Sequence, residues 1–381
     1  MRSMLRNLTG SALVSLAALA CAEQGTDRVI DPVERPEVSE NQFKPASIED
    51  TIDVLAGELS RAEAAELKLG IALGGAGEAW ESVRDGVERG FAELGVDGVV
   101  TAPSESEQAD FVKREREDLA NGIAVAPLAS GLEDEVERAR QGGIPVVTIE
   151  SDLVSERELF VGFGQREIGQ RLGDVVIQAQ DLRVGNVIIL GVDDADISRA
   201  GYLRSMAAKS VLEEAGFNVV IRNSSSAEDG EARDVEVLKD DLLGDPRPLA
   251  VLGVLETSYR VALAAEAAER SLASEDPAPE EEEPQGLVRF ANVPFVAYGF
   301  EQATQEALRG GFLHATLVER RHYMGYLVPY VLSGFSLLGV ERTKYILTPH
   351  LLEDGTLDAG MDVVHPDDLD AYLEFQDLLA R

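Results

Sequence analysis

The feature that most constrains this chain is an alternation. Between Leu67 and Thr348, short apolar runs alternate with segments whose apolar residues recur at helical spacing, about ten times in all. Leu69 to Leu73, Gly122 to Pro127, Ile144 to Ile149, Asn186 to Leu190, Leu249 to Leu255 and Phe295 to Tyr298 are largely apolar, as strands buried on both faces must be. Strands that alternate with helices in this way pair in parallel and are covered by helices. The predicted fold class is therefore α/β, with two doubly wound parallel sheets. The same reading makes Tyr323 to Leu338 a helix, Tyr345 to Thr348 a strand and Pro366 to Leu379 a closing helix.

In such sheets ligands bind outside the carboxyl ends of the strands, so the residues there are the candidate site. Leu69 to Leu73 is followed by Gly74-Gly75-Ala76-Gly77 and a helix starting near Trp80. A dinucleotide loop would need a third glycine where Trp80 stands, and no Gly-Lys-Ser/Thr follows for a phosphate loop, so the nucleotide reading fails. Further along, Asn292 to Tyr326 reads as strand, helix, strand and the start of another helix, with Glu301 and Glu319 at the two strand ends. Two acids so placed make a plausible ligand rim.

The formal charge of −36 argues against nucleic-acid binding, which needs a cationic footprint. Four histidines (His314, His322, His350, His365) form no close pair, so no metal site is expected, and no cofactor motif is present. No Ser/His/Asp series or catalytic cysteine suggests an enzyme. Arg2 and Arg6 precede an apolar run, Leu8 to Leu19, that is too short to span a bilayer, which reads as an export signal. Ala18-Leu19-Ala20-Cys21 resembles a bacterial lipobox, so Cys21 is the expected lipidation site. Residues 22–66 read as a polar tether ending in an amphipathic helix, and 274–285, with Glu280 to Glu283, as a disordered acidic insertion.

Several segments together resemble the periplasmic sugar-binding proteins of the ribose/galactose type, the type I solute-binding family. Gly143-Ile144-Pro145-Val146-Val147 with Glu150-Ser151-Asp152 is similar to its G-I-P-V-V-x-x-D-S-D. Tyr298-Gly299-Phe300-Glu301 is similar to V-G-F-D, and Thr316 to Glu319 with Met324-Gly325-Tyr326 to T-V-V-Q-x-P-x-x-M-G-Y. Trp80 falls on the last aromatic of N-P-F-W, and Arg204 with Glu214-Ala215-Gly216 on the family's Arg and closing E-A-G. The departures are Gly77-Glu78 for Asn-Pro, Glu150 and Glu301 for Asp, and Glu319 for Gln.

The resemblance implies two Rossmann-like domains joined by a three-segment hinge, 67–163 with 320–341 and 164–319 with 342–381, crossed near Phe163-Gly164, Glu319-Arg320 and Gly339 to Arg342. It implies a ligand cleft lined by Glu78, Trp80, Glu150, Asp152, Arg204, Glu256, Glu301 and Glu319. A plain core tryptophan and a surface arginine are the competing readings of Trp80 and Arg204. The implied function is capture of a small polar, sugar-like solute for an ABC permease or a sensor protein, from a lipid-anchored position on the periplasmic face of a bacterial membrane. The acid-rich cleft leaves two alternatives: a cationic or amino-bearing solute, or an envelope interaction module that has lost its solute.

Overall fold

A computed structural model of the protein describes residues 31–33, 35, 41–128, 131–153, 157–180, 184–275 and 287–380. The export signal, Cys21 and residues 276–285 of the acidic insertion lie outside them. The chain begins with α1 (Ala46–Glu58) and α2 (Arg61–Ala64), then β1 (Lys68–Ala72), α3 (Glu78–Leu94), β2 (Asp97–Thr101), α4 (Gln108–Glu117), β3 (Gly122–Val125), α5 (Glu133–Gln141), β4 (Val146–Ile149) and β5 (Leu159–Gly162). It continues through α6 (Gln165–Ala179), β6 (Asn186–Gly191), α7 (Arg199–Glu214), β7 (Asn218–Asn223), α8 (Gly230–Leu243), β8 (Ala250–Gly253), α9 (Arg260–Glu275), β9 (Phe295–Tyr298), α10 (Gln302–Arg309) and β10 (Ala315–Glu319). It closes with α11 (Arg321–Leu337), α12 (Val340–Leu347), β11 (Thr356–Asp358), β12 (Met361–Val364) and α13 (Leu369–Leu379).

The strands form two six-stranded sheets, ordered β11-β5-β4-β3-β1-β2 and β12-β10-β9-β8-β6-β7. Every pairing is parallel except β10 with β12, where Thr316 faces Val364 and Glu319 faces Met361. Each sheet therefore repeats one doubly wound order, and its first and third strands reverse direction of winding between them, which opens a crevice at their carboxyl ends. Strands β3, β4, β5, β8 and β9 are buried along their whole length, as their unbroken apolar runs require.

Helices α3 and α11 pack together on one face of the first sheet, and α4 and α5 on the other. In the second domain α6 pairs with α7 and α8 with α9. Both main helix pairs need glycine for their close approach. A Cβ at Gly325 of α11 would lie 1.9 Å from the Val83 carbonyl oxygen of α3, and one at Gly169 of α6 would lie 2.2 Å from the Arg204 carbonyl oxygen of α7. The second contact sets the position of Arg204.

Three expectations are corrected. Tyr345 to Thr348 is not a strand: α12 is a helix there, because Val340, Thr343 and Leu347 recur at helical spacing, with Thr343 and Leu347 buried toward α11 and α1. The third passage between the domains is not at Gly339 to Arg342. Helix α12 stays with α11, β11 then pairs with β5 of the first sheet, and the chain crosses at Ala359-Gly360 before β12 pairs with β10. Strands as short as three and four residues leave too little periodicity to be read. Third, the tether reading fails at described residues before the helix: Val33 and Phe43 are core residues, and Pro32 bridges Ser60 in antiparallel fashion. The expected amphipathic helix is α1, which buries Ile48, Ile52 and Leu55.

Candidate functional site

The carboxyl ends of β4, β8, β9 and β10 bring one charged array together. Arg204, buried in α7, lies with its guanidinium carbon 4.2 Å from the ring centroid of Tyr298, the last residue of β9. Its Nε donates to Gln165 Oε1 at 2.6 Å, and its Nη1 donates to Glu256 Oε1 at 3.0 Å and to the Val254 carbonyl at 3.3 Å. The Tyr298 hydroxyl donates to Glu319 at the end of β10. Glu319 also accepts from Arg321 Nη2 at 3.1 Å. Arg321 opens α11, and its Nη1 stands 3.6 Å from Glu150 at the end of β4. The array thus runs from the first domain through a hinge segment into the second.

Its electrostatics follow from partial burial of like charges. Burial pushes the Glu150 carboxyl up; Arg321 opposes this, while Glu319 and Glu256 add to it. Glu150 adopts φ 60°, the left-handed region, directly after the last residue of β4. Burial also raises Glu301, against the pull of its own N–H and of the Thr304 hydroxyl 3.4 Å away. Burial and the neighbouring Glu319 hold the Tyr298 phenol far above its ordinary range, so it is a neutral donor. Burial disfavours the charge on Arg204 and Arg321, but the surrounding Tyr298, Glu256 and Glu319, or Glu319 and Glu150, keep both raised and cationic.

The remaining expected residues fare differently. Asp152 is drawn out of the array: Thr148 Oγ1 and the Nε and Nη2 of Arg157 all reach it at 2.8 Å. Burial opposes its ionisation, but this fork outweighs it and holds the carboxyl below the usual range. It lines a cavity of about 510 Å³ beside the hinge, with Phe160, Phe163, Leu203, Leu352 and Gln165, the array's acceptor for Arg204. Trp80 lies over the glycine turn after β1. A Cβ at Gly74 would be 2.5 Å from its ring, and one at Gly75 would be 2.9 Å away. The glycines therefore make room for an indole rather than a phosphate. Glu78 is the first residue of α3, and its side chain lies outside the described ones, as does all of Cys21.

Arg321, Tyr298 and Gln165 were missed in the sequence. Each had a weak signal: Arg321 stands two residues after a strand-end acid, Tyr298 ends a strand, and Gln165 opens the helix after the first crossing. Together the array offers guanidinium donors beside carboxylate acceptors, the arrangement that holds vicinal hydroxyls. Among the described residues no acid, histidine or cysteine cluster suits a metal, and no helix is long and apolar enough to cross a membrane.

The sequence model of the periplasmic binding protein domain matches residues 69–334. No curated protein matches the chain significantly. Solved structures do match. A periplasmic ribose ABC transporter protein from Conexibacter woesei is 15% identical with a TM-score of 0.61, covering 81% of this chain and 94% of that one. A sugar-binding protein of a sugar ABC transporter from Bacillus halodurans is 15% identical with a TM-score of 0.57, covering 81% and 100%. The arabinose-binding protein AraP from Geobacillus stearothermophilus is 16% identical with a TM-score of 0.57, covering 80% and 98%. At these identities the structural likeness speaks for the fold.

Proposed function

The chain belongs to the periplasmic binding protein family, whose members bind solutes rather than transform them, and from that premise we propose that it captures a sugar or sugar derivative between its domains for ABC import or sensing. The observation that carries this reading is the convergence at the strand ends. Glu150 comes from one domain, Arg204, Glu256, Glu301 and Glu319 from the other, and Arg321 from a hinge segment between them. A polyol in that crevice would meet donors and acceptors from both sides, and closure around it would follow from its preference for the closed state. Arg2, Arg6, the apolar run Leu8 to Leu19 and Cys21 support export and lipid anchoring, with the body on the periplasmic face.

One observation favours a second reading of the ligand. Four carboxylates, Glu150, Glu256, Glu301 and Glu319, face two guanidiniums, Arg204 and Arg321. An amino sugar or other amino-bearing solute would offset that excess. Thermal unfolding of the protein against neutral sugars, sugar acids, amino sugars and polyamines separates the readings. A ligand at a hundredfold excess over its Kd adds about 2.7 kcal/mol of apparent stability. A shift with neutral sugars supports the first reading and a preference for amines the second. A well-folded protein that shifts with nothing points to an envelope module without a solute.

A further inference from the structure

The described residues between 31 and 58 precede the family domain, which begins at residue 69, yet they dock on both of its halves. On the first domain, α1 packs against α11 and α12. Ile52, Leu55 and Leu59 are fully buried there, and Leu55 reaches toward Gly334 of α11. Arg35 donates to Glu49 Oε2 at 2.7 Å, to Asp53 at 2.6 Å and to the Tyr326 hydroxyl at 3.2 Å. Glu49 in turn accepts from the Tyr323 hydroxyl of α11 at 2.7 Å. This half of the arm is fixed to the helix whose first residue is Arg321.

Just before α1, the same arm reaches the second domain. The Phe43 ring meets Tyr372 of α13 edge to face at 4.9 Å and lies 6.5 Å from Phe375. Gln42 Nε2 donates to Asp368 at 3.0 Å, at the start of that helix. Helix α13 packs on α10, and Tyr372 makes a second edge contact, 4.9 Å, with Phe300. Phe300 is the neighbour of the cleft acid Glu301. Between the two docking points, Ile48 lies against Gly360 at the third crossing.

We propose that this N-terminal arm is an interdomain brace that sets the angle between the domains. Phe43 and Ile48 are five positions apart, joined by a short turn in which Phe43 N–H donates to Asn41 Oδ1 at 2.9 Å and Ile48 N–H to the Pro45 carbonyl at 2.9 Å. So short a link leaves little slack. Rotation of the domains about the three crossings pulls Phe43 off α13 or unwinds the first turn of α1. Either change loses buried apolar contact, so the brace favours one interdomain angle and resists the others. Three chain crossings alone would let the domains swing; the arm adds a fourth connection, non-covalent and on the hinge side.

Cysteine-pair spin labelling tests this without a ligand. Cys21 is the only cysteine, so the Cys21→Ser chain is a clean background. Labels go at Lys113→Cys on α4 with Val237→Cys on α8, and separately at Glu137→Cys on α5 with Val237→Cys, all exposed helix positions. Two variants are compared with the parent. Phe43→Ala removes the aromatic contact with the second domain. Insertion of Gly-Ser-Gly-Ser between Lys44 and Pro45 gives up the Ala46 N–H to Lys44 carbonyl bond but keeps the Phe43 and Ile48 side chains and lengthens the link, so it remains informative if Phe43→Ala fails to fold. Broader or displaced interdomain distances in the insertion variant, with helix content unchanged, are expected. Distributions that match the parent in both label pairs overturn the proposal. So does a change confined to Phe43→Ala, which would make Phe43 a packing residue of α13 and nothing more.

Discussion

Helix α11 carries two charged networks built from the same residue types, and they differ in access to water. At its start Arg321 joins the cleft, where Glu150 is about one-third exposed and Glu256 is well exposed. Along its length Tyr323, Tyr326 and Tyr330 are fully buried against Glu49 and Glu93. There Glu93 accepts from Tyr330 at 2.8 Å, from Tyr326, and from Arg89 Nε at 2.9 Å. Burial and the adjoining carboxylate hold Tyr326 and Tyr323 well above the ordinary phenol range, so they stay neutral donors. The closed network matches each acid with its own donors. The open one keeps an excess of acid and leaves water to hydrate it. The same tyrosine, arginine and glutamate therefore serve cohesion in one place and recognition in the other, and solvent access is what separates the two.

The comparison breaks most easily at Glu93. Glu93→Ala leaves Arg89 and two buried phenols without their acceptor, and should cost about 3–5 kcal/mol, read from the urea midpoint with the slope unchanged. Next comes His322, buried beside this network with no partner for Nε2 among the described residues. Burial, with Arg89 nearby, lowers it from 6.5 to about 3. A base depressed in the folded state contributes stability that is intact above its unfolded value and lost as pH falls. Acid should therefore weaken the protein progressively from pH 6.5 toward 3, and His322→Phe should flatten that limb of the stability profile.

In the cleft the effects move from stability to binding. Arg204→Ala removes a charge-assisted donor worth about 1.5–3 kcal/mol, so affinity for a hydroxyl-bearing ligand should fall roughly 10- to 100-fold, measured by calorimetry. Its stability loss should be smaller than that of Glu93→Ala, because Glu256 can hydrate. An unchanged affinity would remove Arg204 from the site. The smallest effect is expected at Glu150, whose folded value is raised above 4.5. A raised acid contributes fully below its unfolded value and loses that contribution as pH rises through the folded one. Glu150→Gln should thus match the parent below pH 4.5 and be slightly more stable at neutral pH, by less than about 1 kcal/mol after solvent screening. This sign is opposite to that of His322. Finding the two profiles alike would mean the networks are not distinct.

Much of the candidate site was legible because acids at strand ends are a local pattern. Glu150, Glu256, Glu301 and Glu319 are named by where an apolar run stops, and the structure places them in one electrostatic field. Asp152 was legible by the same pattern, but its pairing with Arg157, five residues on, was not, because no periodicity announces a capture of that kind. Trp80 explains the glycine turn only once its ring is seen to lie over Gly74 and Gly75.

What the sequence determined by itself is the architecture. Burial of a strand on both faces demands an unbroken apolar run, and a covering helix demands apolar residues at helical spacing, so repeated α/β units are written locally. What only the tertiary structure decided are the pairings between distant residues: Gln165 with Arg204, Arg321 with Glu150, and Glu49 with Tyr323, 274 positions apart. It also decided that α12 is a helix of the first domain and that the arm belongs to the core. A side chain's type and spacing say whether it will be buried; which partner meets it there depends on how the sheets and hinge bring separate segments together.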